Sequence, residues 1–181
     1  MIRFVFLSIF LFVSTNAYSQ YGYRTHRTHH VQDGTLVLSS SNRLIGRIAN
    51  RITGQKNTHI GIVIDGYVYD QDWPVAHKTP VSRYGKRGWT VNYYAPVRPY
   101  SAHEVNMMRQ TAESRLGERY SLRGFWNRSS KGTSDQWCSP YVAHVLNSSG
   151  RYNLNSHDAW SPGNIHNRVY HDYNFQYQTR H

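Results

Sequence analysis

Thr58-His59-Ile60-Gly61-Ile62-Val63-Ile64-Asp65-Gly66-Tyr67-Val68-Tyr69-Asp70 decides the fold of this chain. Two apolar runs flank Asp65-Gly66. Asp-Gly between such runs is a strong hairpin signal, because a tight two-residue turn asks both central residues for positive φ. The first run is apolar at successive positions, as in a strand covered on both faces. Pairing across a two-residue turn keeps the sum of partner numbers constant. With residue 64 opposite 67, residue 61 falls opposite 70 and 59 opposite 72. His59, Asp70 and Asp72 therefore gather at the open end of one hairpin, where a carboxylate can orient an imidazole. Gly61 has no side chain, so a ring or a backbone can approach there.

The next informative stretch is Gln136-Trp137-Cys138-Ser139-Pro140-Tyr141-Val142-Ala143-His144-Val145-Leu146, which holds the only cysteine. Val142, Val145 and Leu146 recur at helical spacing. Pro140 is tolerated in a first helical turn, where its missing N–H costs nothing. Cys138 is thus expected at a helix N-terminus, whose exposed N–H groups and positive dipole end favour a thiolate. A buried cysteine acting as a small hydrophobe fits the same spacing. His144, six residues into this helix, faces elsewhere.

Between and around these stretches the pattern alternates strands and helices. Thr35 to Leu38 reads as a strand after the Asp33-Gly34 turn. Ser39 to Asn42 offer N-caps for a helix carrying Leu44, Ile45, Ile48, Ala49 and Ile52, ended by Gly54. Trp73 to Arg87 reads as a polar connection, which puts His77 in a loop. Trp89 to Tyr94 alternates as a strand. Ser101-Ala102-His103-Glu104 is a capping box opening a helix through Val105, Met108, Ala112 and Leu116, stopped by Gly117. Residues 118–136 are polar, with Tyr120, Phe125 and Trp126 as anchors. Ala159 to Ile165 reads as a turn, and Tyr170 to Tyr177 as a last strand.

The chain's beginning is different in kind. A basic start, an almost wholly apolar run from Phe4 to Val13 and the small residues of Ala17-Tyr18-Ser19 read as a signal peptide over residues 1–19. Export to the periplasm or beyond is expected. Residues 20–32 read as a flexible basic arm, whose His26, His29 and His30 have no cysteine or carboxylate at ligand spacing. No metal or other cofactor is expected. In an exported chain a single unpaired cysteine is a reactive thiol or an intermolecular bridge. The formal net charge of +11 is spread along 181 residues. It suits an anionic envelope polymer, with peripheral membrane contact as a further option. No nucleic-acid motif accompanies it, so nucleic acid is not an expected partner.

These pieces in this order resemble the NlpC/P60 superfamily of papain-like cysteine hydrolases, in its circularly permuted YiiX/YebB-like branch. Gly34-Thr35-Leu36-Val37-Leu38 resembles the opening strand, with Thr35 in place of the usual acid. Thr58-His59-Ile60-Gly61-Ile62-Val63 resembles the histidine strand, Leu116-Gly117-x-x-Tyr120 the Gly-x-x-Tyr element, and Trp137-Cys138-Ser139 with Val142 the cysteine helix. Ser161-Pro162-Gly163-Asn164-Ile165 resembles a Pro-Gly-Asp-Leu-like segment. The match runs over residues 33 to 166. Histidine precedes cysteine, the reverse of the unpermuted family.

The resemblance implies an α+β, papain-like domain over residues 33–181, with a small antiparallel sheet packed against the cysteine helix. It implies Cys138 as nucleophile, His59 as base, and a third polar residue at Asp70, with Asp72 close by. It places Tyr120 near the oxyanion site. The expected activity is hydrolysis of an amide, foremost in peptidoglycan peptides. A lipid-directed amidase, thioesterase or acyltransferase on the same fold is the first alternative. A non-enzymatic basic envelope-binding protein with Cys138 buried is the second.

Overall fold

The computed structural model describes residues 31–41, 57–121 and 137–181. The expected leader over 1–19, nearly all of the basic arm with His26, His29 and His30, the helix expected over 44–52, and Phe125 and Trp126 lie outside the described residues.

Six strands form one antiparallel sheet: β1 (Leu36–Ser41), β2 (His59–Ile64), β3 (Tyr67–Gln71), β4 (Ala76–Pro80), β5 (Trp89–Pro96) and β6 (Tyr173–Arg180), in the order β4-β3-β2-β1-β5-β6. Among the described residues three α-helices accompany it: α1 (Ala102–Ser114), α2 (Cys138–Ser148) and α3 (Pro162–Val169). The fold is α+β.

The β2–β3 hairpin has the expected register: Ile64 faces Tyr67, Val63 faces Val68, and Gly61 faces Asp70. Its turn residues both take positive φ, 51° at Asp65 and 76° at Gly66, which matches the turn to the strand twist. A Cβ at Gly61 would come within 2.7 Å of Val68 Cγ1. The missing side chain thus lets the two strands lie close beside the carboxylate of residue 70.

The central strands β1 and β2 are buried on both faces, whereas the edge strand β4 is mostly half-buried and the edge strand β6 largely exposed. Leu36, Leu38, Ile60, Ile62, Ile64 and Tyr69 join the helices in the main core, with Met108 and Ala112 of α1 and Tyr141, Val142, Val145 and Leu146 of α2. Each such large apolar side chain contributes about 1.5–3 kcal/mol on burial, so the face of α2 fixes that helix against β2 and β3. Val37, Val63, Val68, Val91 and Tyr93 line the opposite face, with Tyr84 packed among them.

Four expectations are corrected. Ser39 to Ser41 are not helix caps; they continue β1, where Ser39 pairs with both His59 and Val91. His77 is not in a loop; it lies on β4, a short edge strand whose sequence AHKTP has no apolar alternation. Residues 159–165 are not all turn: Ser161 caps α3 by accepting from the Asn164 N–H, and Pro162 opens the helix. The last strand begins only at Tyr173, after a 3₁₀ turn over Tyr170–Asp172. The capping box of α1 forms as expected, with Glu104 N–H donating to Ser101 Oγ and Ser101 N–H to Glu104 Oε2.

Candidate active site

His59 heads β2 and Cys138 heads α2. Because α2 packs on β2 and β3, its first turn meets the open end of the hairpin. There His59 Nε2 lies 2.7 Å from Asp70 Oδ2. Cys138, His59 and Asp70 are 3%, 8% and 1% exposed, so the cluster is screened from bulk water. With Nε2 committed to Asp70, Nδ1 is the ring nitrogen left for the thiol.

Burial works against charge on His59, yet its pKa stands well above the ordinary 6.5. The negative charge that Cys138 can carry, the hydrogen bonds to Asp70 and Cys138, and the Asp70 carboxylate together outweigh the desolvation. The imidazole is therefore coupled to both partners. Its ring also tilts against that of Trp89, centroids 5.7 Å apart.

Asp72 lies just past the end of β3 and does not take the Asp70 position. It pairs with Lys86 Nζ, and its Oδ1 accepts from the Trp73 N–H at 2.8 Å. Burial would raise its pKa, but the His59 charge and the Lys86 contact lower it overall. Asp72 acts on His59 through its field, not through contact.

Tyr120 is half-buried, with its backbone N–H donating to the Pro74 carbonyl at 2.9 Å and its ring edge-on to Trp73. Burial foremost, then the charges of Cys138 and Asp72, raise its pKa, so the phenol stays a hydrogen-bond donor. Helix geometry leaves the N–H groups of Cys138 and Ser139 without intrahelical acceptors, and Pro140 has none. The first intrahelical bond is Tyr141 N–H to the Trp137 carbonyl. Cys138 Sγ sits 3.8 Å from Ser139 Oγ. His144 is exposed on the far side of α2.

Two residues at the site carry no functional expectation from sequence. Tyr84 donates its hydroxyl to Asp70 Oδ2 at 3.0 Å. His77, directly opposite Asp70 in the β3–β4 register, brings Nε2 within 3.4 Å of Asp70 Oδ1. Tyr84 stands in an aperiodic polar stretch that gives no cue of burial. Counting three residues back from Pro80 along the β3–β4 pairing, from its place opposite Tyr67, leads to His77 opposite Asp70.

No protein-family model matches the chain, and no curated protein matches it. Among solved structures it is similar to the crystal structure of the metalloprotein yiiX from Escherichia coli O157:H7, with a TM-score of 0.57 and 19% sequence identity over 68% of this chain and 69% of that one. That likeness gives the chain a YiiX-like fold.

Proposed function

We propose that this chain is a cysteine hydrolase of the permuted NlpC/P60 kind, exported and directed at an amide bond in peptidoglycan peptides. The observation that carries the reading is the buried contact of His59 Nε2 with Asp70 Oδ2 at 2.7 Å, in a histidine also coupled to Cys138. A thiol at a helix start, an imidazole beside it and a carboxylate behind the imidazole are what acyl transfer to cysteine requires. Cys138 gives its proton to His59, and Sγ attacks the carbonyl carbon. The Cys138 N–H and the Tyr120 hydroxyl face the developing oxyanion. His59 returns the proton to the leaving amine, and an acyl-enzyme remains. Water, deprotonated by His59, then attacks that thioester, and the thiolate leaves. Asp70 holds the imidazole in the orientation both halves need.

The metal in the neighbour's name finds no matching donor set among the described residues. Among the described residues no three His, Cys, Asp or Glu side chains converge where an ion would sit. The 2.7 Å approach of His59 to Asp70 leaves no room for an ion between them. The described residues of this site do not fit a metal.

Export rests on the leader-like first 19 residues, and the envelope substrate on the distributed positive charge. Digestion of purified peptidoglycan followed by mass analysis of the fragments tests the reading. The wild-type protein is expected to release fragments with new amine and carboxylate ends, and Cys138→Ala to release none. Equal release by Cys138→Ala sinks the mechanism.

A further inference from the structure

A carboxylate as buried as Asp70 needs hydrogen-bond donors. Oδ2 has two, His59 Nε2 at 2.7 Å and the Tyr84 hydroxyl at 3.0 Å. Oδ1 accepts no hydrogen bond among the described residues, and the imidazole of His77 stands 3.4 Å away. These contacts arrive from three parts of the chain. Tyr84 reaches Asp70 because the 3₁₀ turn Val81–Arg83 folds back, with the Tyr84 N–H on the Val81 carbonyl, and packs the ring against Val37, Val63 and Val68. His77 arrives through strand register. Its Nδ1 faces the Val75 carbonyl at 3.1 Å. A carbonyl only accepts, so Nδ1 is the donor there and the ring is held with Nε2 toward Oδ1, where Nε2 donates only when both ring nitrogens carry protons.

We propose that Tyr84 is a positioning residue that fixes the plane of the Asp70 carboxylate so that Oδ2 points at His59, with the doubly protonated ring of His77 bracing Oδ1 from the other side. The proposal rests on the reading of His59 as the base of a hydrolase. With Tyr84 alone removed, Oδ2 keeps one donor and the carboxyl group can turn toward His77. Burial, followed by the nearby Asp70 charge, keeps the Tyr84 proton in place, so the phenol donates throughout the neutral range.

Tyr84→Phe removes one oxygen and keeps the ring. The direct readout is exchange with water of the His59 Nε2 proton, followed by NMR on the purified protein and assigned by its loss in His59→Gln. Exchange is expected to be about tenfold faster or more in Tyr84→Phe, the range of a lost hydrogen bond to a charged group. It is expected to be faster, by a smaller factor, in His77→Leu, which carries the test if Tyr84→Phe does not fold. Alkylation of Cys138 by iodoacetamide is expected to slow about tenfold in Tyr84→Phe, and to show no such loss when Asp70 is already Ala. An unchanged exchange rate, or an equal alkylation loss with and without Asp70, overturns the proposal. If wild-type Cys138 alkylates no faster than in His59→Ala while Tyr84→Phe still speeds proton exchange, the hydrolase reading falls and the positioning role stands.

Discussion

His59 connects the parts of the site, and its charge state ties the site to stability. Its pKa is raised well above 6.5 in the fold. Protonated His59 therefore stabilises the folded chain fully below about 6.5, the unfolded value, and that contribution is lost as pH rises through the raised folded value. Chemical denaturation of wild type and His59→Gln over a pH series checks the sign. The stability advantage of wild type is expected to shrink as pH climbs above about 6.5, and an advantage that grows instead contradicts the coupling. At this scale the sequence was informative about His59 and Cys138 because each heads an element with a strong pattern. Asp70 and Asp72 remained alternatives until side-chain contacts could be seen. The register places both carboxylates near the same end, but only the structure reveals that Lys86 occupies Asp72.

The β2–β3 hairpin was legible to the residue, because an Asp-Gly turn leaves one register and a slip would turn the apolar side chains of β2 to the wrong face. β4 was not legible, since its pairing with β3 is backbone-driven and its side chains do not alternate in polarity. α3 carries its own signal in the sequence: Ser161 before Pro162 is an N-cap followed by a first-turn proline, and Ile165 and Val169, four apart, are its buried stripe. Arg151, just past α2, illustrates a tie that no local pattern gives. It donates to Glu104 Oε1 at 2.6 Å and Oε2 at 2.8 Å, and to the carbonyls of Arg98 and Pro99. Its guanidinium stacks 3.7 Å from the centre of the Tyr100 ring. This fastens the start of α1 to the end of α2. Arg151→Met is expected to cost about 1–3 kcal/mol, read from denaturant midpoints. Hydrogen bonds from Arg151 and Ser101 lower the Glu104 pKa below the usual 4.5. That contribution is present above about 4.5 and lost as pH falls through the depressed value, so the gap between wild type and Arg151→Met is expected to close in acid. A gap that is independent of pH contradicts the clamp.

Across the whole molecule, the resemblance carried by a histidine hairpin followed by a cysteine helix is what implied an α+β fold, and the YiiX-like match supports it. Sequence alone did not supply the outer strand β4 or the cover that Tyr84 gives the second face of the sheet, because both depend on contacts remote in sequence. The net charge of +11 belongs to this scale. A diffuse positive surface binds anionic polymers through long-range fields that salt screens, over a Debye length of about 10 Å at 0.1 M ionic strength. Co-sedimentation with purified peptidoglycan is expected to weaken several-fold between low salt and about 0.5 M; binding insensitive to salt contradicts a charge-driven association. The claim on which all of this depends is that Cys138 and His59 act as a pair. The rate at which iodoacetamide alkylates Cys138 in the folded protein, followed by mass spectrometry, measures that pairing directly. A working pair predicts fast labelling in wild type that falls about tenfold or more in His59→Ala. A Cys138 that labels at the same rate in both proteins, or in neither, contradicts it.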